Sequence, residues 1–493
     1  MRGTFFLLAT LFIGCVDRAS ALSQCSLREE EFYQDPAMHT MPFDLGYGPQ
    51  EFRAYKQPDV STFYRERPGD RRAKTPAFNG FAFKIVNMSP NRVKYFWDPG
   101  HGPGSPMSSI GPWDSAGTAS FPTHKFYLTP FDDETKIIAR FVCTPPQAVY
   151  YYDPITVEGD EEATQANLDA LSQHDFDRYQ AHSDSREFNK QYYEFTGREY
   201  LSTFPRNTAI HKIWPADYFG QEHWVTSEEV HFVDLPEESE LKLPSTVGRD
   251  RRLKDGERFL EKYRSPEPYM NMTMKVLSCA PRAFQIDNFL SETEVNHILY
   301  LTTGMKLHRS TTAGDNREEA RHDIRETRTS LNTWVYREKD LIIDAIYRRA
   351  ADLLRIDEAL LRPRSAGEVP EMKNTRGLAE ALQLVHYEVG QEYTAHHDFG
   401  YAPFDRKDQP ARFATLLLYL NEGMVGGETQ FPRWANAETR AGLDVEPKIG
   451  KAVLFYSQLP DGNMDDLSQH AARPVKIGEK WLMNLWVWDP EYQ

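Results

Sequence analysis

The sequence reads Tyr393-Thr394-Ala395-His396-His397-Asp398 in its C-terminal part, and this stretch decides the fold class. In an extended strand, residues two positions apart point to the same face. The imidazole of His396 and the carboxylate of Asp398 therefore share a face, and His397 points away. Metal binding by His397, with His396 as a structural residue, remains open, although strand alternation favours His396.

A third candidate ligand, His470, lies 74 residues beyond His396, beside the strand-like run Pro474-Val475-Lys476-Ile477. A His-x-Asp triplet alone is weak evidence, because most such residues lie at surfaces or form ordinary hydrogen bonds. Two neutral imidazoles and one carboxylate, however, form the 2-His-1-carboxylate site of non-haem Fe(II) oxygenases. We therefore expect His396, Asp398 and His470 to bind one Fe(II) ion.

A lysine strengthens this interpretation. Gly478-Glu479 predicts a turn, after which alternation places five residues on one face: Lys480, Leu482, Asn484, Trp486 and Trp488. If that face is the inner one, Lys480 needs an anionic partner, since an unpaired buried charge is very costly. A dicarboxylate cosubstrate fits, with one end on the iron and the other on Lys480. Otherwise Lys480 is a solvated surface residue, the usual environment of a lysine.

The region from Val276 to Trp486 resembles the prolyl 4-hydroxylases of the collagen α-subunit and plant or algal type. The ordered motifs that carry the resemblance are Val276-Leu277-Ser278-Cys279-Ala280-Pro281-Arg282-Ala283-Phe284, Asn288-Phe289-Leu290-Ser291, Arg328-Thr329-Ser330, 382–393, Gly426-Gly427-Glu428-Thr429-Gln430-Phe431-Pro432, Pro447-Lys448-Ile449-Gly450-Lys451-Ala452 and Gly478-Glu479-Lys480-Trp481. Lysine at position 480 distinguishes this type from lysyl hydroxylases and oxygen-sensing prolyl hydroxylases, which use arginine there. Arginine and lysine bind carboxylates with different geometry and are not interchangeable.

The resemblance implies 4-hydroxylation of peptidyl proline with Fe(II), dioxygen, 2-oxoglutarate and ascorbate, releasing succinate and carbon dioxide. Its iron ligands match the three residues already named, and Lys480 matches the residue that binds the distal carboxylate of 2-oxoglutarate. The other matching positions fall in the cosubstrate pocket (Tyr387, Thr429 and Trp486) and on the peptide side (Tyr393 and Arg412). The expected partner is a proline-rich protein or peptide, and a disulfide-isomerase-like partner has no support in the sequence.

Two departures limit what the resemblance implies. Between His470 and Pro474 the chain has Ala471-Ala472-Arg473, where many relatives carry a cysteine before the proline. Residues 22–270 do not resemble the peptide-binding domain of collagen hydroxylases, so a collagen substrate is not implied. Two alternatives stay open: a 2-oxoglutarate oxygenase that modifies another side chain, and a non-catalytic peptide-binding protein.

The elements of the C-terminal region predict an α+β fold. Ser291-Glu292-Thr293-Glu294 is a capping box that begins a helix, and apolar residues at helical spacing predict another over 340–356. Strand-like runs follow at Leu382–Tyr387, Ala414–Leu420, Ala452–Phe455 and Lys480–Val487. Helices followed by many strands favour a double-stranded β-helix, or jelly roll, with flanking helices.

The rest of the chain predicts four further segments. Residues 1–21 have the charge, apolar run and small-x-small site of a secretory signal peptide, cleaved after Ala21. Residues 22–77 are irregular, and residues 78–152 contain short strands separated by turns, which predict a small β-sandwich. Residues 153–270 are expected to form a helical or irregular connector. Residues 271–493 are expected to form the oxygenase domain. Part of the sandwich, from Asn87 to Phe126, resembles the β-domain of von Hippel–Lindau-type proteins, which implies a module for proline-rich or hydroxyproline peptides. A plain sandwich is the alternative.

The composition of the 493-residue chain fits an ordinary globular protein. A net charge of −16 argues against non-specific binding of nucleic acid, and no segment after the signal is long and apolar enough to cross a membrane. We expect the protein to act in the endoplasmic reticulum lumen or the Golgi, and the sequence does not distinguish the two.

Outside the signal, Cys25, Cys143 and Cys279 allow at most one disulfide. Asn271 begins a usable glycosylation sequon, and the sequon at Asn87 is weakened by Pro90.

Overall fold

The computed structural model describes residues 43–44, 48–49, 80–206, 208–216, 220–242, 260–310, 328–369, 375–399, 411–434 and 442–490. The predicted signal peptide and most of 22–77 lie outside these residues. Within the described part of the chain, no helix has the length and apolar character needed to span a membrane.

The described residues of the N-terminal half form nine strands and two α-helices. The strands are β1 (Phe43–Asp44), β2 (Gly48–Pro49), β3 (Phe81–Asn87), β4 (Val93–Asp98), β5 (Ser105–Ile110), β6 (Ser115–Ser120), β7 (Lys125–Pro130), β8 (Ala139–Val142) and β9 (Val149–Tyr152), and the helices are α1 (Glu161–Asp169) and α2 (Gln173–Thr196). Strands β3 to β9 form two sheets, in the orders β6-β3-β9 and β5-β4-β7-β8. We call residues 80–206 the N-terminal module.

The core of this module follows from the alternation of its strands. Tyr95 on β4 and Phe126 and Leu128 on β7 are buried together with Phe83 on β3. The rings of Phe83 and Phe126 stack with centroids 4.4 Å apart. Helix α2 is capped at both ends. The Ser172 side chain accepts a hydrogen bond from a backbone N–H in the first turn, and Gly197 adopts φ 70° at the last.

In the C-terminal half, the residues that the structure describes form fifteen strands and two α-helices. The strands are β10 (Glu222–Ser227), β11 (Met270–Cys279), β12 (Arg282–Ile286), β13 (His308–Arg309), β14 (Leu331–Val335), β15 (Leu382–Tyr387), β16 (Tyr393–His396), β17 (Arg412–Tyr419), β18 (Val425–Gly426), β19 (Thr429–Phe431), β20 (Leu443–Val445), β21 (Ala452–Tyr456), β22 (His470–Ala472), β23 (Val475–Ile477) and β24 (Lys480–Trp488), and the helices are α3 (Glu292–Thr302) and α4 (Leu341–Leu354). The predicted capping box of α3 is present, and the four predicted strand runs are confirmed within two residues at each end.

Two sheets face each other in this half, as in a jelly roll. The larger has the order β10-β11-β12-β21-β17-β24-β15-β14-β13, and the smaller has the order β16-β22-β19-β20. Helices α3 and α4 pack on one face of the larger sheet through a broad apolar cluster. A second cluster lies between the sheets and includes Tyr387, Tyr419, Phe431, Phe455 and Leu482. This space between the sheets contains the candidate site.

The segment expected to be a connector, 153–270, contributes to the larger sheet. Strand β10 pairs with β11 along its whole length, from Glu222 opposite Lys275 to Ser227 opposite Met270. Short polar strands of this kind give little sequence signal because one face is exposed. Residues 243–259 of this segment, which include the basic run Arg249-Asp250-Arg251-Arg252-Leu253-Lys254, lie outside the described residues.

The cysteines and sequons also differ in environment. Cys279 is disulfide-bonded, and Cys143 is free and buried. Asn271 is exposed on β11. Asn87 is fully buried, and its amide donates to the backbone oxygens of Asn91 and Gly111, so the folded chain conceals that sequon.

Candidate active site

The two candidate histidine ligands are brought together by one strand pair. Strands β16 and β22 are antiparallel, and His396 lies directly opposite His470 in their register. A bulge between Tyr393 and His396 interrupts the pairing, and Asp398 follows two residues after the strand ends. The pair therefore carries two imidazoles and a carboxylate at the edge of the space between the sheets.

The donor atoms converge as a metal site requires. His396 Nε2 lies 3.7 Å from Asp398 Oδ1, and His470 Nε2 lies 3.6 Å from Asp398 Oδ2. All three ligand atoms lie within 4.8 Å of one another. Among the described residues, this is the only group of three or more His, Cys, Asp or Glu side chains with such spacing.

Hydrogen bonds set the tautomer of both imidazoles. His396 Nδ1 lies 2.8 Å from the carbonyl oxygen of Thr394, and His470 Nδ1 lies 3.0 Å from that of Ser468. Because a carbonyl only accepts, each Nδ1 carries the proton and each Nε2 keeps its lone pair. Backbone carbonyls orient metal-binding histidines in the same way.

The protonation states also suit a divalent cation. Burial lowers the pKa of His470, and burial together with the charge of His470 lowers the pKa of His396 well below its ordinary value. Burial alone would raise the pKa of Asp398, but His470 and His396 hold it below the ordinary value of an aspartate. At neutral pH the three side chains are therefore two neutral imidazoles and one carboxylate, the forms that bind metal.

Two donors fix the Asp398 carboxylate. The Thr415 hydroxyl donates to Oδ2 at 2.7 Å, and the Trp486 indole N–H donates to the same oxygen at 3.0 Å. The family resemblance places Trp486 in the cosubstrate pocket, and in the structure Trp486 contacts the carboxylate of the triad directly.

The open alternative for His397 is not supported by its contacts. Its Nε2 lies 2.9 Å from the carbonyl oxygen of Asp466 and 3.3 Å from the Asp466 carboxylate. The side chain therefore points away from His396 and Asp398, as strand alternation predicted.

Lys480 lies in the space between the sheets. It is 0% exposed, and its Nζ has no partner in the part of the chain described. The ring centroids of Tyr387 and Tyr419 lie 5.5 and 5.7 Å from Nζ. Burial lowers the pKa of Lys480 to about 7, and the charge of Glu428 opposes this shift.

The remaining pocket residues surround this ammonium group. Tyr387 on β15 lies opposite Lys480 on β24 in the strand register. Thr429 is buried, and its hydroxyl accepts a hydrogen bond from the Tyr419 hydroxyl at 2.7 Å. A fully buried ammonium without a partner fits an anionic ligand such as a carboxylate, and the three donors described above fit Fe(II).

Comparison with known proteins agrees with this geometry. Residues 382–488 match the 2OG-Fe(II) oxygenase superfamily. Over 231 residues the chain is 35% identical to "Probable prolyl 4-hydroxylase 3" of Arabidopsis thaliana, covering 44% of this chain and 73% of that protein. "Probable prolyl 4-hydroxylase 8" of the same plant is 33% identical over 44% of this chain and 72% of its own length.

The chain belongs to the prolyl 4-hydroxylase family. It is a 2-oxoglutarate- and Fe(II)-dependent dioxygenase that hydroxylates proline. Among solved structures, the viral collagen prolyl hydroxylase of Paramecium Bursaria Chlorella virus-1 is 24% identical, with coverage of 42% of this chain and 96% of that chain and a TM-score of 0.30.

Of the two expected peptide-side residues of this hydroxylase, Tyr393 adjoins the triad. Its ring stacks on His396 with centroids 3.4 Å apart, and the Arg328 guanidinium lies 4.7 Å from the centre of the Tyr393 ring. Burial raises the pKa of Tyr393 to about 12, so its hydroxyl stays protonated at neutral pH.

Arg412, the other expected peptide-side residue, forms an ion pair next to Trp486. Its guanidinium pairs with both oxygens of Glu380, at 2.6 and 3.0 Å, and lies 3.9 Å from the centre of the Trp486 ring. Trp488 donates to the same Glu380 carboxylate at 2.7 Å. Arg412 therefore supports Trp486, which in turn holds Asp398.

Sequence reasoning missed two residues of the hydroxylase site. Thr415 lies in a run of apolar residues on β17 and gives no signal of its own. Arg328 was quoted only as part of a matching motif. It is nine-tenths buried, and it donates to Gln383 at 3.0 Å in the same space.

Proposed function

We propose that this enzyme 4-hydroxylates proline within proline-rich segments of proteins of the secretory pathway. In this proposal, His396, Asp398 and His470 hold Fe(II), and Lys480 binds the distal carboxylate of 2-oxoglutarate. Tyr387 and Thr429 complete the wall of the cosubstrate pocket. Bound iron, with 2-oxoglutarate and dioxygen, supplies the oxidising chemistry, and ascorbate keeps the iron reduced.

One observation carries the cosubstrate assignment. A fully buried ammonium with no hydrogen-bond acceptor is unfavourable unless a ligand provides one. It lies between the aromatic rings of Tyr387 and Tyr419, which exclude water and strengthen a charge interaction. A dicarboxylate that reaches from the triad to Lys480 supplies the missing acceptor.

The protein's own residues orient and protect the reacting groups. The hydroxyl of Thr415 and the indole of Trp486 hold Asp398 Oδ2, which leaves Oδ1 for the metal. The carbonyls of Thr394 and Ser468 keep Nε2 of each histidine directed at the same point.

For the peptide side, we propose Tyr393 as a direct contact and Arg412 as an indirect one. Tyr393 is partly exposed next to His396, so its ring can pack against a proline. Proline-rich chains favour the polyproline II conformation, which is already ordered and therefore loses little entropy on binding aromatic grooves. Arg412 would affect the peptide through Trp486.

The cellular location rests on the sequence of the first 21 residues, which has the order of a secretory signal. We propose the endoplasmic reticulum lumen or Golgi as the site of action, with a glycan on the exposed Asn271.

The test is a reaction of the purified enzyme with Fe(II), 2-oxoglutarate, ascorbate and synthetic proline-rich peptides. Mass spectrometry should locate one added oxygen on C4 of proline, with one succinate released per hydroxylation. The matched control is His470→Ala, which should give neither product. Oxygen on another side chain, or no hydroxylated product with any proline-rich peptide, would contradict the proposal.

A further inference from the structure

The loop between β21 and β22, which ends at the ligand His470, is held by the N-terminal module. The Tyr192 hydroxyl on α2 donates to the Asp461 carboxylate at 2.6 Å. The Leu201 N–H donates to Asn463 Oδ1 at 2.9 Å, and the Asn463 amide donates to the Glu199 carbonyl at 3.1 Å. These contacts are buried or half-buried, so the module forms part of the support of this loop.

One residue of the loop, Asp466, joins three separate elements. Its Oδ1 accepts a hydrogen bond from the backbone N–H of Ala82 on β3 at 2.8 Å. Its carboxylate pairs with Arg433, and its carbonyl oxygen and Oδ1 both lie within reach of His397 Nε2. Asp466 thus connects the first strand of the sandwich with the residue between two proposed metal ligands.

Apolar contacts reinforce the same connection. Phe399, Ala411 and Met464 are buried in one cluster with the core of the N-terminal sandwich. The ring of Phe399 lies 4.7 Å from that of His397. The segment that bears His396 and Asp398 is therefore anchored on its far side by the N-terminal module.

We infer that Asp466 is a positioning residue for the metal site, and that the N-terminal module acts through it. His397 lies between His396 and Asp398 in sequence and points to the opposite side. Its two hydrogen-bonding contacts with Asp466 set the position of the backbone from which both ligands project. Ala82 and Arg433 fix Asp466 in turn. This inference rests on the proposed ligand set.

Co(II), which takes the same donor types as Fe(II) and does not turn over, is the probe. Titration of the purified full chain, followed by its visible absorption, gives the affinity and the ligand geometry. Asp466→Ala should weaken Co(II) binding about tenfold, the lower end of effects seen when an outer partner of a metal ligand is lost. It should also change the absorption bands. Asp466→Asn keeps an acceptor for Ala82 and His397 and should recover much of the affinity.

His397→Phe removes both contacts with Asp466, including the one to its carbonyl oxygen that Asp466→Ala leaves in place. It should therefore weaken Co(II) binding at least as much as Asp466→Ala, which keeps the inference testable if the latter does not fold. Tyr192→Phe is the matched control, because it weakens the same interface without touching His397. It should lower the melting temperature and leave Co(II) affinity and absorption unchanged.

Wild-type affinity and absorption in both Asp466→Ala and His397→Phe would overturn the inference. So would an equal loss of affinity in Tyr192→Phe, because Asp466 would then act only through general stability. If the wild-type chain binds no Co(II), the ligand set itself is wrong and the inference fails with it.

Discussion

His396 and His470 face each other across one antiparallel strand pair, with ring centroids 4.3 Å apart. The cross-strand register, rather than nearness in sequence, therefore builds the metal site. Each Nδ1 donates a hydrogen bond to a backbone carbonyl. Asp398, in the turn after β16, is the third proposed ligand.

Loss of one histidine should abolish turnover without unfolding the chain. His470→Ala removes one of three donors and leaves a small cavity at the edge of the smaller sheet. We expect no detectable succinate release and an unchanged circular dichroism spectrum. Full 2-oxoglutarate-dependent activity in this variant would show that His470 is not a ligand.

Lys480→Ala should raise the requirement for 2-oxoglutarate far more than that for the peptide. A hydrogen bond to a charged group contributes about 1.5–3 kcal/mol, which corresponds to roughly 10- to 150-fold in affinity. Steady-state kinetics with each substrate varied separately measures the two effects. Lys476→Ala, which removes an exposed lysine of β23, is the control and should change neither. Equal effects on both substrates would remove Lys480 from the cosubstrate pocket.

The same lysine predicts a pH dependence of stability. Burial lowers the pKa of Lys480 from 10.5 to about 7 in the folded protein without 2-oxoglutarate, so between these values the unfolded chain binds more protons at this residue. The free energy of unfolding should therefore rise with pH from about 7 to 10.5, by at most about 1.4 kcal/mol per pH unit. Urea unfolding of wild type and Lys480→Met at several pH values isolates the effect. A constant difference between the two across this range would contradict it.

Thr415→Val should weaken metal binding while the fold persists. Valine has nearly the same shape but cannot donate to Asp398 Oδ2, and loss of such an outer partner costs about 10- to 100-fold in metal affinity. Thr429→Val is the matched control. It leaves Asp398 untouched, and we expect it to alter 2-oxoglutarate binding instead. Metal titration of the two variants measures the difference in metal affinity. Equal metal affinities of Thr415→Val and Thr429→Val would refute the role of Thr415.

Stability should depend strongly on a buried ion pair behind the larger sheet. Arg349 on α4 is fully buried and donates to both oxygens of Glu294 on α3, at 2.7 and 2.9 Å. Breaking one partner of such a pair costs about 3–5 kcal/mol, because the remaining charge stays buried. Glu294→Gln should lose about this much free energy of unfolding in urea. The exposed Glu292→Gln on the same helix should lose less than about 0.5 kcal/mol, and similar values for the two would contradict the role of burial.

Local sequence patterns predicted most of the strands and turns that carry the site residues. Alternation gave the orientation of His396 and His397, and the turn at Gly478-Glu479 placed Lys480 at the start of an inward-facing strand. In contrast, Thr415 on β17 reaches Asp398, and Arg328, which precedes β14, reaches Tyr393. Nothing in their own segments indicates that contact, because it depends on long-range register.

The contact of Arg412 is a second case that local sequence patterns do not predict. The family resemblance implies a peptide-side position for Arg412, and nothing in its own segment indicates the ion pair with Glu380, which lies 32 residues earlier in sequence. The role of the N-terminal module was also beyond local patterns, since a single hydrogen bond from Ala82 to Asp466 spans 384 residues.

The most direct test of the account is anaerobic calorimetric titration of 2-oxoglutarate into the chain with and without Fe(II). We expect one 2-oxoglutarate bound per chain when Fe(II) is present. Binding should be much weaker when the metal is absent, and again when Lys480 is replaced by alanine. Equal 2-oxoglutarate affinity with and without Fe(II), or in wild type and Lys480→Ala, would contradict a ligand that spans the three donors and the buried ammonium.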